Sequence, residues 1–160
     1  TQILLVYIGA QRCIWCNRPE LAPAIASIRD SLRSYAVARN LAFSSAGISV
    51  DDDPDIGRKY LARVGPFTSV SSGGGWANEA VIPFVWGDFA GPVGTPQLII
   101  IERTLDAANG MPVTNTARML CRMVGLDEIV RAAHNRSVGF LGLSTGADTR
   151  TDDLLVHTRK

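Results

Sequence analysis

Apolar positions fall along this chain in short dense runs separated by stretches of helical spacing. Residues 3–8, Ile-Leu-Leu-Val-Tyr-Ile, form a nearly continuous, β-branched segment that suits a strand buried on both faces. Leu21, Ile25, Ile28, Leu32, Tyr35 and Val37 then keep an approximately helical spacing, which predicts a helix over 20–38. Arg29, Asp30, Arg33 and Arg39 fall mostly off that stripe and read as its solvated face. Pro19 suits a first helical turn, whereas Pro23 lies deeper and predicts a kink. Residues 41–50 alternate loosely through Phe43, Ile48 and Val50 and read as a second strand. In Asp51-Asp52-Asp53-Pro54-Asp55, Asp53 is placed to cap a short helix over 55–63 with Pro54 in its first turn, a better reading of the acidic cluster than a cation site. Residues 98–101 are the most apolar strand and belong inside the sheet, and 106–110 end in Asn-Gly, a turn signal. Residues 114–124 fit both a helix and a strand; Gly125 and a closing helix over 126–134 follow.

Composition narrows the class. With 160 residues, 46% of them hydrophobic, the chain has the size of one domain and can bury a core without disulfide staples. A net charge of +1 argues against an electrostatic nucleic-acid or membrane-surface partner. The apolar runs fall short of the ~20 residues of a membrane span, so a soluble chain is expected. It opens on Thr1 without a basic-then-apolar leader, and a leader removed by processing leaves both a cytoplasmic and an exported location open. Three cysteines do not make a secreted disulfide framework.

The chemistry concentrates in Tyr7-Ile8-Gly9-Ala10-Gln11-Arg12-Cys13-Ile14-Trp15-Cys16, where the first apolar run stops at a Cys-x-x-Cys. At a strand-to-helix junction, unpaired N–H groups of a first helical turn would stabilise a thiolate at Cys13, the expected nucleophile. Cys16 would lie behind it, placed to resolve a mixed disulfide. The same spacing supplies half of a zinc site or an incidental buried pair, but His134 and His157 are not paired at ligand spacing. No cofactor and no metal is called for. Cys121 reads as a buried thiol serving as a small hydrophobe, and His134 as a helix C-terminal residue.

The order strand, Cys-x-x-Cys, helix, strand, then Asp51-Asp52-Asp53-Pro54 with Lys59-Tyr60 downstream resembles thioredoxin, as does Thr95-Pro96 before the 97–101 strand. The resemblance covers residues 3–134 and implies an α/β, thioredoxin-like fold: a mixed four-stranded central sheet with helices on both faces. It implies that Pro96 is cis, that Thr95 and Pro96 lie against the cysteines and position a substrate strand, and that 114–124 is the hairpin strand. Arg12 precedes Cys13 and Trp15 lies between the two cysteines; both complete the expected substrate-binding set. Arg12 would favour a thiolate at Cys13 and push the couple toward the oxidising end. The first strand carries no acid where thioredoxin has a buried carboxylate, for which Glu20 is a candidate substitute, though a first-turn acid is the plainer reading.

Residues 66–93 depart from thioredoxin as an insert before Pro96, within a domain over 1–134. Its Gly73-Gly74-Gly75 lacks the ending of a phosphate loop and reads as a turn. Residues 78–86 should hold a short helix, with Trp76, Phe84, Trp86 and Phe89 as core; alternatively the insert overhangs the cysteines and shapes access. Residues 135–160 are a C-terminal extension without evident chemistry. The expected function is thiol-disulfide exchange on a disulfide-containing protein or peptide, with an unidentified redox partner. A thioredoxin-fold binding module and a metal-handling protein using the same cysteines are the alternatives.

Overall fold

β1 (Gln2–Gly9) lies at the centre of the sheet, as its apolar run requires, and all but two of its residues are buried. The computed structural model of the chain describes residues 1–108 and 111–135. β1 pairs in parallel with β2 (Ala42–Ser49), to which it is joined through α1 (Leu21–Ala38). On its other side it pairs antiparallel with β4 (Gln97–Ala108), which forms a hairpin with β5 (Met111–Val124). α4 (Leu126–His134) closes the described chain.

Alternation along the strands divides the core in two. Ile3, Leu5, Tyr7, Leu98 and Ile100 face α1, α4 and α2 (Pro54–Val64), and pack with Leu21, Ile25, Leu32, Tyr60, Leu61 and Ile129. Val6, Ile8, Ile48, Ile99 and Ile101 face the other way, and Val81, Phe84 and Val85 cover them. The last three come from the 66–93 insert, which holds the short helix α3 (Ile82–Val85) as well as β3 (Ser69–Ser71). The insert therefore supplies the second helical layer of the sheet, which would otherwise expose apolar surface.

Four expectations change. The sheet has five strands, in the order β3-β2-β1-β4-β5, because β3 adds in parallel to β2. Three residues with an exposed Val70, between Pro66 and the glycines, give no periodicity from which to read a strand. Pro23 interrupts nothing: α1 starts at Leu21, so Pro23 falls in the first turn, where its missing N–H would have had no helical partner. β4 runs on to Ala108 through residues read as turn, since β5 pairs with it well beyond the end of β1; Asn109 and Gly110 lie outside the described residues. Of the four insert aromatics only Phe84 is buried; Trp76 and Phe89 pack at the edge of the core, and Trp86 is 58% exposed. The strand reading of 114–124 and the helix over 126–134 agree with β5 and α4, and Asp53 caps α2 by accepting from the N–H groups of Asp55 and Ile56 at 2.8 and 3.1 Å. Residues 136–160, most of the expected extension, lie outside the described residues.

Candidate active site

The chain leaves β1 in a loop fastened from several directions. Val50 N–H donates to Gly9 O at 2.9 Å, and Gln11 N–H donates to the buried Asp51 carboxylate at 2.8 Å. The same carboxylate accepts from the Ser49 hydroxyl at 2.7 Å. Asn17 closes the loop from beyond the cysteines, its amide donating to Gln11 O and Cys13 O at 2.6 and 2.8 Å. Arg63 on α2 reaches both Gln11 and Asn17. Backbone and side-chain groups thus fix the loop on both sides of Cys13.

Within it, Cys13 is half-buried and Cys16 is 4% exposed; both are free thiols. Cys16 N–H donates to Cys13 Sγ at 3.1 Å, and Cys13 Sγ donates to Thr95 O at 3.4 Å. The donor to the outer sulfur comes from a single turn of 3-10 helix (Trp15–Asn17), not from α1, which begins five residues after Cys16. That corrects the expectation of a cysteine on the first turn of the long helix. The Cys16 N–H nonetheless points at the Cys13 sulfur and holds it in place beside the second cysteine.

Cys16 lies deeper. Burial pushes its thiol up to about 11, the neighbouring Cys13 adds to the rise, and the Ala10 backbone and Thr95 act against it. Beneath it lie two buried tyrosines. Tyr7 on β1 and Tyr60 on α2 share a short hydroxyl–hydroxyl hydrogen bond, and the Tyr60 hydroxyl donates to Cys16 O at 3.4 Å. Tyr7 stacks on Phe67 with ring centroids 6.0 Å apart. Burial raises both phenols, with Cys16 contributing in each case, so both hydroxyls are protonated at neutral pH. Sequence reading did not single out either tyrosine as a site residue. The only signal was Tyr60 in the Lys59-Tyr60 pair, because Tyr7 looks like any core residue of an apolar strand.

Across from the cysteines the Thr95–Pro96 peptide bond is cis, as expected from the resemblance. The buried Gln97 that follows donates its amide to Pro92 O and Gly94 O, both at 2.7 Å. Arg122 of β5 donates to Gln97 Oε1 and to the carbonyls of Phe84 and Phe89. These bonds tie the end of the insert to the sheet just before Pro96.

Of the expected site residues, Cys13, Cys16 and Thr95 are brought together. Trp15 is 57% exposed and Ile14 76% exposed beside Cys13, with the Arg18 guanidinium 5.9 Å from the Trp15 ring centre. Arg12 is exposed and directed to Asp52 at 3.5 Å. Glu20 is exposed at the start of α1 and supplies no buried carboxylate. Cys121 is half-buried on β5 rather than fully enclosed. His134 holds Val130 O through its ring at 2.7 Å, a helix C-terminal contact. Among the described residues no group of three or more His, Cys, Asp or Glu is placed to hold a metal ion.

A parallel β1–β2 pair joined by α1, a β4–β5 hairpin entered through a cis X-Pro bond, a closing α4 and a Cys-x-x-Cys at the end of β1 define a thioredoxin-like fold. No protein-family model and no curated protein matches the chain. Among solved structures it is similar to a protein assigned as the thiol:disulfide interchange protein DsbE of Chlorobium tepidum, at 18% identity over 88% of this chain and 81% of that one, TM-score 0.49. It is also similar to a thiol:disulfide interchange protein from Bacteroides sp., at 13% identity over 92% and 78% of the two chains, TM-score 0.49. A third is the thioredoxin domain of a thiol-disulfide oxidoreductase from Bacteroides vulgatus, at 17% identity over 84% and 78%, TM-score 0.42. Among the described residues no helix is long and apolar enough to cross a membrane.

Proposed function

We propose that the chain is a thiol-disulfide oxidoreductase acting on disulfide-containing proteins or peptides through Cys13 and Cys16. One observation carries the reading: a half-buried sulfur that receives the N–H of Cys16 at 3.1 Å lies beside a second thiol that is almost wholly buried. The Cys13 thiolate attacks one sulfur of the substrate disulfide, forming a mixed disulfide and releasing the other substrate sulfur as a thiolate, which takes a proton. Cys16 then attacks Cys13 Sγ. The Cys13–Cys16 bond forms, the bond to substrate breaks, and the two cysteines have given two electrons to the substrate. A redox partner restores the dithiol, or the sequence runs in reverse when the chain acts as the oxidant.

Thr95 and Pro96 offer backbone to an extended substrate segment, and the exposed Ile14 and Trp15 offer it apolar surface. Arg12 stands at the rim, its charge shared with Asp52. That combination favours an extended, partly apolar polypeptide as substrate.

The test is the redox state of the Cys13–Cys16 pair across a series of glutathione buffers, read by alkylation and mass. A midpoint near about −270 mV marks a reductant, and one at about −180 to −120 mV an oxidant or isomerase. A pair that forms no disulfide at any poise overturns the proposal. In Cys16→Ser the mixed disulfide with a peptide substrate should persist.

A further inference from the structure

We propose that the Tyr7–Tyr60 hydroxyl pair stabilises the Cys16 thiolate that resolves the mixed disulfide. This rests on the exchange reading above and adds two working residues to it. The resolving step needs a negative sulfur where water is excluded, since Cys16 is almost wholly buried. A buried charge with few hydrogen-bond partners is costly, so a donor from the core, added to the Ala10 backbone and Thr95, eases the step.

The acids of the region are turned elsewhere. Asp51 is occupied by Gln11 N–H and the Ser49 hydroxyl, Asp52 faces Arg12 on the surface, and Glu20 is exposed. Cys16 is faced by the pair of phenols from β1 and α2, by Cys13 and the Ala10 backbone from its own loop, and by Thr95 from the segment before β4; of these, the Ala10 backbone and Thr95 already favour its thiolate. Two hydroxyls carry two hydrogens, and the bond between them uses one. The other points from Tyr60 to Cys16 O at 3.4 Å, a length at which a hydroxyl hydrogen bond is weak. Little is lost when that hydrogen turns from the carbonyl toward the Cys16 side chain, with which both phenols interact, as charge develops on its sulfur. The pair also occupies space that only glycine leaves free: a Cβ on Gly9 would lie 2.7 Å from the Tyr60 oxygen and closer still to that of Tyr7.

The step balances. Cys16 loses its S–H proton, its sulfur bonds to Cys13 Sγ, the Cys13–substrate bond breaks, and the departing substrate thiolate gains a proton. The hydroxyls remain protonated throughout and act as donors rather than bases, as phenols raised by burial must at neutral pH.

The experiment separates the two chemical steps in single-turnover reactions with a peptide disulfide, quenched by acid and resolved by mass. In Tyr60→Phe, attack by Cys13 should stay within about twofold of wild type, while decay of the mixed disulfide slows about tenfold. The pH at which that decay reaches half its maximum should rise. Equal decay rates and an unchanged pH profile overturn the inference. Should Tyr60→Phe not fold, 3-fluorotyrosine incorporated into the wild-type chain supplies hydroxyls that are stronger donors: decay should then accelerate, and an unchanged rate overturns the inference as well. The underlying reading fails separately, when wild type itself forms no Cys13–Cys16 disulfide in glutathione.

Discussion

Gln11 N–H donates to the Asp51 carboxylate at 2.8 Å, fastening the loop that carries Cys13 to the chain leaving β2. The bond reaches across the parallel β1–β2 pair and is reinforced by the Ser49 hydroxyl on the same oxygen. Asp51→Ala would leave a backbone N–H and a buried hydroxyl without their acceptor. The expected cost is about 1–3 kcal/mol of stability, measured by urea denaturation. Faster alkylation of Cys13 should accompany it as the loop loosens; unchanged stability together with unchanged alkylation would refute the fastening role.

Alkaline pH should destabilise the fold. Cys16 binds its proton more tightly folded than unfolded, with a pKa near 11 against an ordinary 9.0, and the phenols of Tyr7 and Tyr60 are raised from 10.0 in the same sense. The stability this contributes is fully present below about pH 9 and is lost as pH rises toward the folded values. Urea midpoints at pH 8 and pH 10.5 test it, with the lower midpoint expected at the higher pH. Cys16→Ser should remove part of the difference, and a flat profile in wild type would count against the burial of these groups.

Arg122→Ala should loosen the insert while leaving the rest of the sheet paired. Arg122 donates to Phe84 O, Phe89 O and Gln97 Oε1, and its loss leaves these acceptors without that donor. Amide hydrogen exchange should quicken over residues 84–94 and remain slow in β1. Gly91→Ala should act on the same contact, because a Cβ at Gly91 runs into the Arg122 guanidinium. Uniform change across the whole chain, or none, would show that the contact does not act locally.

Trp15→Ala should separate binding from folding. The indole is largely exposed and its ring contact with Arg18 lies at the surface, so stability should change by less than about 0.5 kcal/mol. Turnover of an extended apolar peptide disulfide should fall mainly through a higher KM. A small hydrophilic disulfide should react as with wild type. Equal loss with both substrates would mean that Trp15 shapes the loop rather than the substrate site.

The sequence alone determined the elements whose signals are local. The continuous apolar run of β1, the helical stripe from Leu21, the Asp53-Pro54 cap and the Cys-x-x-Cys position each follow from a few adjacent residues, and the thioredoxin-like order follows from their succession. Tertiary structure decided what depends on partners distant in the chain. β3 exists because three residues of the insert meet the open edge of β2, and β4 extends because β5 continues to pair with it. The insert became a core layer because one face of the sheet needed Val81, Phe84 and Val85 to cover it. Cys16 acquired its surroundings in the same way: Tyr7 and Tyr60 stand 53 positions apart, and only the packing of α2 over the sheet brings their hydroxyls together beneath it. A spacing of cysteines can be read along the chain, but the polar groups that serve a buried sulfur are selected by proximity in space, which no local pattern records.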